Sequence, residues 1–588
     1  MACDDRSMAL AEMTHFTRRP GLLTLWVILV LMLSPAVRAG QAAVASPDRF
    51  GADTAEDVIQ RGGNAIDAAV ATAFVLAVTY PEAGNLGGGG FITLKMGTEL
   101  GFLDFREVAP RAAKRDMYLD ADGKPIADAS LVGHLAAGVP GTVAGLWEAH
   151  RKYGRLPWRE LVQPAIRLAR DGFIPEAQLI RRVDESLPEY AGKTNFARYF
   201  GSIAKIPPGS KKNFRQPELA RTLERIAQHG PAGFYTGRTA DLIVAEMARG
   251  GGIITHDDLA NYRALWRAPL TTRWRDYTLV TAPPPSSGGI ALIQLLRMKD
   301  ALAADFEGVA HNSARYVHLV SEISKRVFAD RAEYLGDPDF VNVPVEKLIA
   351  ESYTARRAAE VNRQGISKLP EVRPGLRESL QTTHFSILDA EGNAVALTYT
   401  LNGGFGNGVV VEGAGFLLNN EMDDFSTKPG VPNLYGVVGG VANEIVPGKR
   451  MLSSMTPTLL IADDRVRMIV GTPGGSTIFT GVFQTILNRL DFKMSAAQAV
   501  SASRFHHQLL PPNVIVYSVC CALGDAETLE GLKGLGWDVR PSSWEFGDMQ
   551  LIDVDSAGVV SAAADVRGRG VARVFEKSSR THTTRDLR

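Results

Sequence analysis

Gln381-Thr382-Thr383-His384-Phe385-Ser386-Ile387-Leu388, then Asp389-Ala390-Glu391-Gly392-Asn393, then Ala394-Val395-Ala396-Leu397-Thr398-Tyr399-Thr400, reads as a β-hairpin. Thr383, Phe385, Ile387 and Leu388 suit a pleated, half-buried surface. The five residues between the strands are turn chemistry: Asp and Asn bond their own backbone and Gly supplies positive φ. If Leu388 faces Ala394, antiparallel pairing sets Thr382 opposite Thr400, with Asn402 just beyond on the same face. A threonine at a strand start with a second hydroxyl across from it is a candidate nucleophile. Threonine is also common in ordinary strands, so the hairpin alone does not decide the matter.

The sequence around it does more. TTHFSILDAEGNAVALTYTLN runs on through GFGNGVVVEGAGFLLNNEMDDFS, KPGVPNLYGVVGG, RMLSSMTPTL and GTPGGS. The first half carries PEAGNLGGGGF, LDFREVAPRAA, GVPGTVAGLWEAHRKYG, PPPSSGG and DRAEYLGDPDF. These motifs, in this order over roughly residues 45 to 570, resemble the γ-glutamyltransferase (γ-glutamyl transpeptidase, glutathione hydrolase) family of N-terminal-nucleophile hydrolases.

The resemblance implies an α+β fold, an αββα sandwich of two stacked antiparallel sheets flanked by helices. It implies a precursor that cuts itself at Gln381–Thr382. Residues 40–381 would form a large subunit and 382–588 a small one, held together without covalent links. The expected reaction moves a γ-glutamyl group from glutathione or another γ-glutamyl compound to water, an amino acid or a peptide, with no metal or organic cofactor. Rival readings are a related acylase for another amide (a cephalosporin acylase or a poly-γ-glutamate depolymerase) and an unprocessed binding protein.

An N-terminal threonine uses its own α-amine as base. Thr382 is the expected nucleophile and Thr400 the residue that holds it. Arg106 follows a strand directly, and the family motif LDFREVAP assigns it to the donor's α-carboxylate, which a guanidinium binds through two parallel hydrogen bonds. Ser453 and Ser454 are implied at the same carboxylate. Asn402, Glu421 and Asp424 are implied at the donor's α-ammonium. Residues 468–470 read as a strand, 471–475 as a glycine loop and Ser476 as a helix cap, an arrangement that presents free N–H groups to an anion. The resemblance makes Gly474 and Gly475 the oxyanion hole. Tyr435, in the 428–436 segment, resembles the lid tyrosine of transpeptidase members. Two departures from the family pattern are Gly403-Gly404 after Asn402 and Val566, where Pro is usual.

Composition adds exclusions. Lys+Arg and Asp+Glu are equal at 64 each, so no charge excess points to nucleic acid. Residues 22–33 are uncharged and apolar, follow Arg18-Arg19 and precede Ala39. This is a signal-peptide pattern with cleavage expected after Ala39, and with translation from Met13, giving a periplasmic or secreted protein; a membrane anchor is the minority alternative. Cys520 and Cys521 are adjacent and not expected to bridge. No Cys/His spacing suits a metal, and no G-x-S-x-G, H-E-x-x-H or Walker A loop occurs.

Among the helices, Asp53 is expected to cap one ending near Gln60, and residues 65–78 form a second, buried on most sides. Residues 219–226, 239–247 and 314–333 are amphipathic helices. Residues 283–289 read as a rigid turn with no assigned chemistry, 360–379 as an exposed linker suited to a chain break, and 571–588 as a disordered polar tail.

Overall fold

The computed structural model describes residues 40–207, 209–367, 382–426, 440–542 and 544–577. The expected leader, Gln381, Tyr435 and the segment around it lie outside the described residues.

The hairpin forms with the expected register. Thr382–Leu388 pairs antiparallel with Ala394–Thr400, Leu388 faces Ala394 and Thr382 faces Thr400. Asp389 Oδ1 accepts from the Glu391 and Asn393 N–H groups, and Gly392 takes φ 83°, which closes the turn as its residues dictate.

Alternation along these strands sends side chains two ways. Phe385, Ile387, Val395, Leu397 and Tyr399 enter a core shared with helices Arg49–Gln60 and Ala65–Thr79. Leu388, Ala394 and Ala396 point the other way, with Ala43 and Ala45, against Val280, Leu459, Ile461, Ile469 and Ile552 of a second sheet. Small residues on one sheet meet branched residues on the other, which lets the sheets stack closely.

The first sheet has seven strands in the order Val571–Glu576, Gln41–Ser46, Thr382–Leu388, Ala394–Thr400, Gly89–Met96, Glu99–Asp104, Leu265–Arg267. The second has six: Val560–Ala564, Gln550–Val554, Arg465–Gly471, Thr458–Ala462, Tyr277–Thr281, Leu270–Trp274. Every neighbouring pair is antiparallel. Helices Gly288–Ala301, Ala314–Tyr334 and Thr477–Leu490 cover the outer face of the second sheet. The layers are helix, sheet, sheet, helix. Both sheets contain strands from before and after residue 381, so a cut there leaves the two pieces sharing both sheets. Among the described residues, no helix is long and apolar enough to cross a membrane.

Several expectations need correction. The first helix begins at Arg49 and is capped by Asp48, whose Oδ1 accepts from the Gly51 N–H at 2.7 Å; Asp53 instead pairs with Arg573. Val571–Glu576 is a strand, not a disordered tail. It covers the free edge of Gln41–Ser46, and its alternation puts Val571 and Phe575 against the helix layer, a pattern that the polar residues around it obscure. Residues 360–367 are docked rather than free: Val361 is buried, and the Ser367 N–H donates to Glu322 Oε1 at 3.1 Å. Cys520 and Cys521 are joined as a disulfide, the turn after Val514–Tyr517 bringing the adjacent sulfurs together. The expected helices at 219–226, 239–247 and 314–333 lie within Pro217–His229, Gly237–Gly250 and Ala314–Tyr334.

Candidate active site

Thr382 lies on the inter-sheet face at the end of its strand. Its hydroxyl donates to Thr400 Oγ1 at 3.3 Å, and Thr400 Oγ1 accepts from the Asn402 N–H at 2.7 Å. Asn402 takes φ 71°, a left-handed turn that asparagine tolerates, and so leads the chain off the sheet. Its Nδ2 donates to the Asn420 carbonyl at 3.0 Å. Behind Thr400, Gly88 lets two backbones meet: a Cβ there would stand 2.0 Å from the Thr400 carbonyl oxygen.

Gly474 and Gly475 stand at the mouth of the second sheet, between strand Arg465–Gly471 and helix Thr477–Leu490. Their φ values are 130° and 54°, so both need glycine's freedom. Both line the space around Thr382. Ser476 holds the expected N-cap position, but its side chain makes no cap bond. The residue is already helical, and its Oγ donates to Gln508 Oε1 at 2.6 Å, so the helix start rests on the glycine loop.

The cavity beside Thr382 holds Arg106, Asn402, Glu421, Asp424, Ser453 and Ser454 together. Arg106 is 1% exposed; its Nη1 is 2.6 Å from Glu421 Oε2 and 3.7 Å from Glu107 Oε2, and its Nη2 pairs with Asp424. Burial works against the guanidinium's charge, but Glu421, Asp424 and Glu107 hold its pKa above the ordinary arginine value. Burial in turn raises the carboxyls: Glu107 to about 8, Glu421 well above the ordinary range, and Asp424 less far, with Arg106 and Arg331 pulling it back. Three buried carboxyls around one guanidinium cannot all ionise cheaply. Asp423 turns away and accepts from Ser130 Oγ at 2.5 Å.

The serine pair is held by groups whose role the sequence did not reveal. Arg331 lines the cavity and donates from Nη2 to Ser454 Oγ at 3.2 Å and from Nε to Ser287 Oγ at 3.0 Å. Ser287 donates to the Ser453 carbonyl at 2.7 Å, Ser286 donates to the Met455 carbonyl at 2.6 Å, and the Ser453 N–H donates to the Pro285 carbonyl at 2.9 Å. The 283–289 turn is therefore the clamp on residues 453–455. Its motif PPPSSGG, and DRAEYLGDPDF for Arg331, were the available signals.

A hydroxyl at the inner start of a strand in an αββα sandwich, facing a glycine turn, defines the class: an N-terminal-nucleophile hydrolase. The model of the family described as gamma-glutamyltranspeptidase matches residues 51–575. A glutathione hydrolase proenzyme of Pseudomonas aeruginosa is 56% identical over 534 residues, covering 91% of this chain and 94% of its own. The chain belongs to the gamma-glutamyltranspeptidase family. Among solved structures, a gamma-glutamyltranspeptidase from Pseudomonas nitroreducens complexed with L-DON is 56% identical with a TM-score of 0.54, covering 55% of this chain and 95% of that one. A cephalosporin acylase from Bacillus halodurans is 25% identical with a TM-score of 0.78, covering 91% and 96%.

Proposed function

We propose that this chain is a self-processing γ-glutamyltransferase and glutathione hydrolase. The observation that carries this reading is the single cavity in which Thr382 meets Arg106, Glu421 and Asp424. The guanidinium is ion-paired with both carboxyls. A zwitterionic amino-acid head offers each an opposite charge: its carboxylate to Arg106, Ser453 and Ser454, its ammonium to Glu421, Asp424 and Asn402. An amide lacking that head leaves the cluster buried without gain, which argues against the acylase reading.

Cleavage at Gln381–Thr382 frees an α-amine with a reference pKa of roughly 7.7 to 8.0. That amine takes the proton of Thr382 Oγ1 as the oxygen bonds to the γ-carbonyl carbon. The oxyanion faces the Gly474 and Gly475 N–H groups. The amine of the leaving group then carries the proton away as its C–N bond breaks, and a γ-glutamyl ester on Thr382 remains for water or an acceptor amine to resolve. The 22–33 segment and Ala39 support export of the mature chain to the periplasm or medium.

The test is intact mass under denaturing conditions followed by a γ-glutamyl-p-nitroanilide assay. Two masses, the smaller matching 382–588, with release of p-nitroaniline, are expected. A single full-length mass, or two masses with no γ-glutamyl turnover, would overturn the proposal.

A further inference from the structure

The bonds that fix the surroundings of Thr382 run out to two adjacent sulfurs. Thr382, Gly474, Glu545 and Arg567 line one cavity. The Arg567 side chain is 1% exposed, so its place is set by what it bonds. It donates to Asp565 Oδ1, to the Ala502 carbonyl and to the Ser518 hydroxyl, each at 2.8 Å. Its Nη2 also reaches Cys521 Sγ at 3.5 Å. Glu545 lies 3.2 Å from Arg567 Nε, accepts from the Ser518 hydroxyl, and accepts from the Cys520 N–H at 2.9 Å. The Cys520–Cys521 disulfide therefore touches both charged groups of the cavity wall, Glu545 through a backbone N–H and Arg567 through a sulfur.

A disulfide between chain neighbours closes a ring through the planar peptide that joins them. The ring fixes ψ of Cys520 and φ of Cys521, and its opening frees both. The turn that offers the Cys520 N–H to Glu545 then loses its brace.

The two sulfur-bearing residues are unequal. Cys520 is exposed and Cys521 half-buried. Exposed disulfides are the labile ones, whereas buried structural ones resist reduction. A cation beside a sulfur favours the thiolate, and Arg567 is that cation for Cys521. An incoming thiolate thus attacks Cys520 Sγ, the S–S bond breaks, and Cys521 Sγ leaves as a thiolate. A second small thiolate attacks the small-molecule sulfur of the mixed disulfide and releases Cys520 Sγ. Two thiols become one disulfide, and two electrons and two protons pass to the protein. A thiolate at Cys521 is a stronger acceptor than a disulfide sulfur, and it competes with Ser518 and Glu545 for the Arg567 guanidinium.

We propose that Cys520–Cys521 is a redox-modification site for small thiols, and that its reduction slows turnover at Thr382 by loosening Glu545 and Arg567. The identity of the natural reductant rests on the γ-glutamyl reading: glutathione is a thiol, and so is the dipeptide left when its γ-glutamyl group is removed. Thiol accumulating around the enzyme then restrains it.

The experiment uses the processed wild type isolated in air, treated without oxygen with dithiothreitol or with cysteinylglycine, and freed of thiol by gel filtration. Part is alkylated with iodoacetamide for peptide mass analysis, and part is assayed with γ-glutamyl-p-nitroanilide, which carries no thiol. Before treatment neither Cys520 nor Cys521 should alkylate; afterwards both should. kcat/KM should fall about five-fold, on the order of one hydrogen bond to a charged group, with unchanged far-ultraviolet circular dichroism. Oxidised glutathione should restore it. The double variant Cys520→Ser/Cys521→Ser should stay near the reduced wild type under every treatment. Full alkylation with unchanged kcat/KM overturns the switch and leaves the γ-glutamyl reading intact. So does a pair that thiols do not open, a pair free from the start that oxidised glutathione does not close, or a loss of dichroism on reduction. A wild type that turns over no γ-glutamyl donor in either state overturns the γ-glutamyl reading and the switch with it.

Discussion

Arg331 holds Ser454 and Ser287 at once, Nη2 to Ser454 Oγ at 3.2 Å and Nε to Ser287 Oγ at 3.0 Å. The guanidinium is 7% exposed, so the serine loop is fixed before a donor arrives. A lysine at this position has one point of charge and no fork with which to reach both hydroxyls. Arg331→Lys is therefore expected to raise the donor KM about ten-fold while changing kcat less, since a hydrogen bond to a charged group contributes about 1.5–3 kcal/mol. Steady-state kinetics with a γ-glutamyl donor checks this. A fall confined to kcat would place Arg331 at the reacting centre instead.

Thr400 accepts the Thr382 hydroxyl and is itself fixed by the Asn402 N–H. Thr400→Val keeps the shape and removes both bonds; Thr400→Ser keeps them. The valine variant is expected to process more slowly and to lose about ten-fold in kcat, on the order of one hydrogen bond of positioning, and the serine variant to stay near wild type. Thr382→Ala is expected to remain one chain and inactive. Gel analysis over time and donor turnover measure both, and equal behaviour of the valine and serine variants would remove the role of the hydroxyl.

The hairpin was legible because it combines a period of two with a turn whose residues permit little else. Once Leu388 is set against Ala394, the Thr382–Thr400 pairing follows by counting. The catalytic surroundings were legible through motif resemblance and not through pattern. Nothing in periodicity separates Arg331 from Arg326, which sits on the same helix and is spent on Glu322. Asp48 was missed as a cap because Asp53 lies nearer the apolar run. Val571–Glu576 was missed because an edge strand with one solvated face and an arginine in it reads as a polar tail. The 283–289 turn was legible as rigid, but what it grips lies 166 and 169 residues away in sequence, and only tertiary structure brings the two together.

Glu107 is buried beside Arg106, and neither carboxyl oxygen has a hydrogen-bond partner among the described residues. Burial raises its carboxyl to about 8 against an ordinary 4.5. Between these values the folded chain holds a proton that the unfolded chain has released. The sign follows: stability contributed by this group is present below the ordinary value and is lost as pH rises toward about 8. Glu107→Gln keeps the shape and cannot ionise. The variant is expected to gain on wild type as pH rises from about 5 to about 9, which melting temperatures over that range would record. A difference independent of pH would mean that Glu107 is already ionised in the fold.

Val571–Glu576 seals the first sheet by pairing along the whole of Gln41–Ser46. Arg573 ties the strand to the first helix through Asp53 and through Glu56 at 2.8 Å, while Val571 and Phe575 pack on the helix layer. Without the strand, the edge N–H and C=O groups of Gln41–Ser46 would be open to pairing with another chain. Ending the chain after Gly570 is expected to cost about 3 kcal/mol through the two half-buried side chains and the lost ladder, and to favour aggregation. Ending it after Lys577 keeps the strand and serves as the comparison. Urea denaturation and light scattering on both truncations measure the difference. Equal stability and equal scattering would show that the edge needs no cover and that residues 571–576 add nothing to the fold.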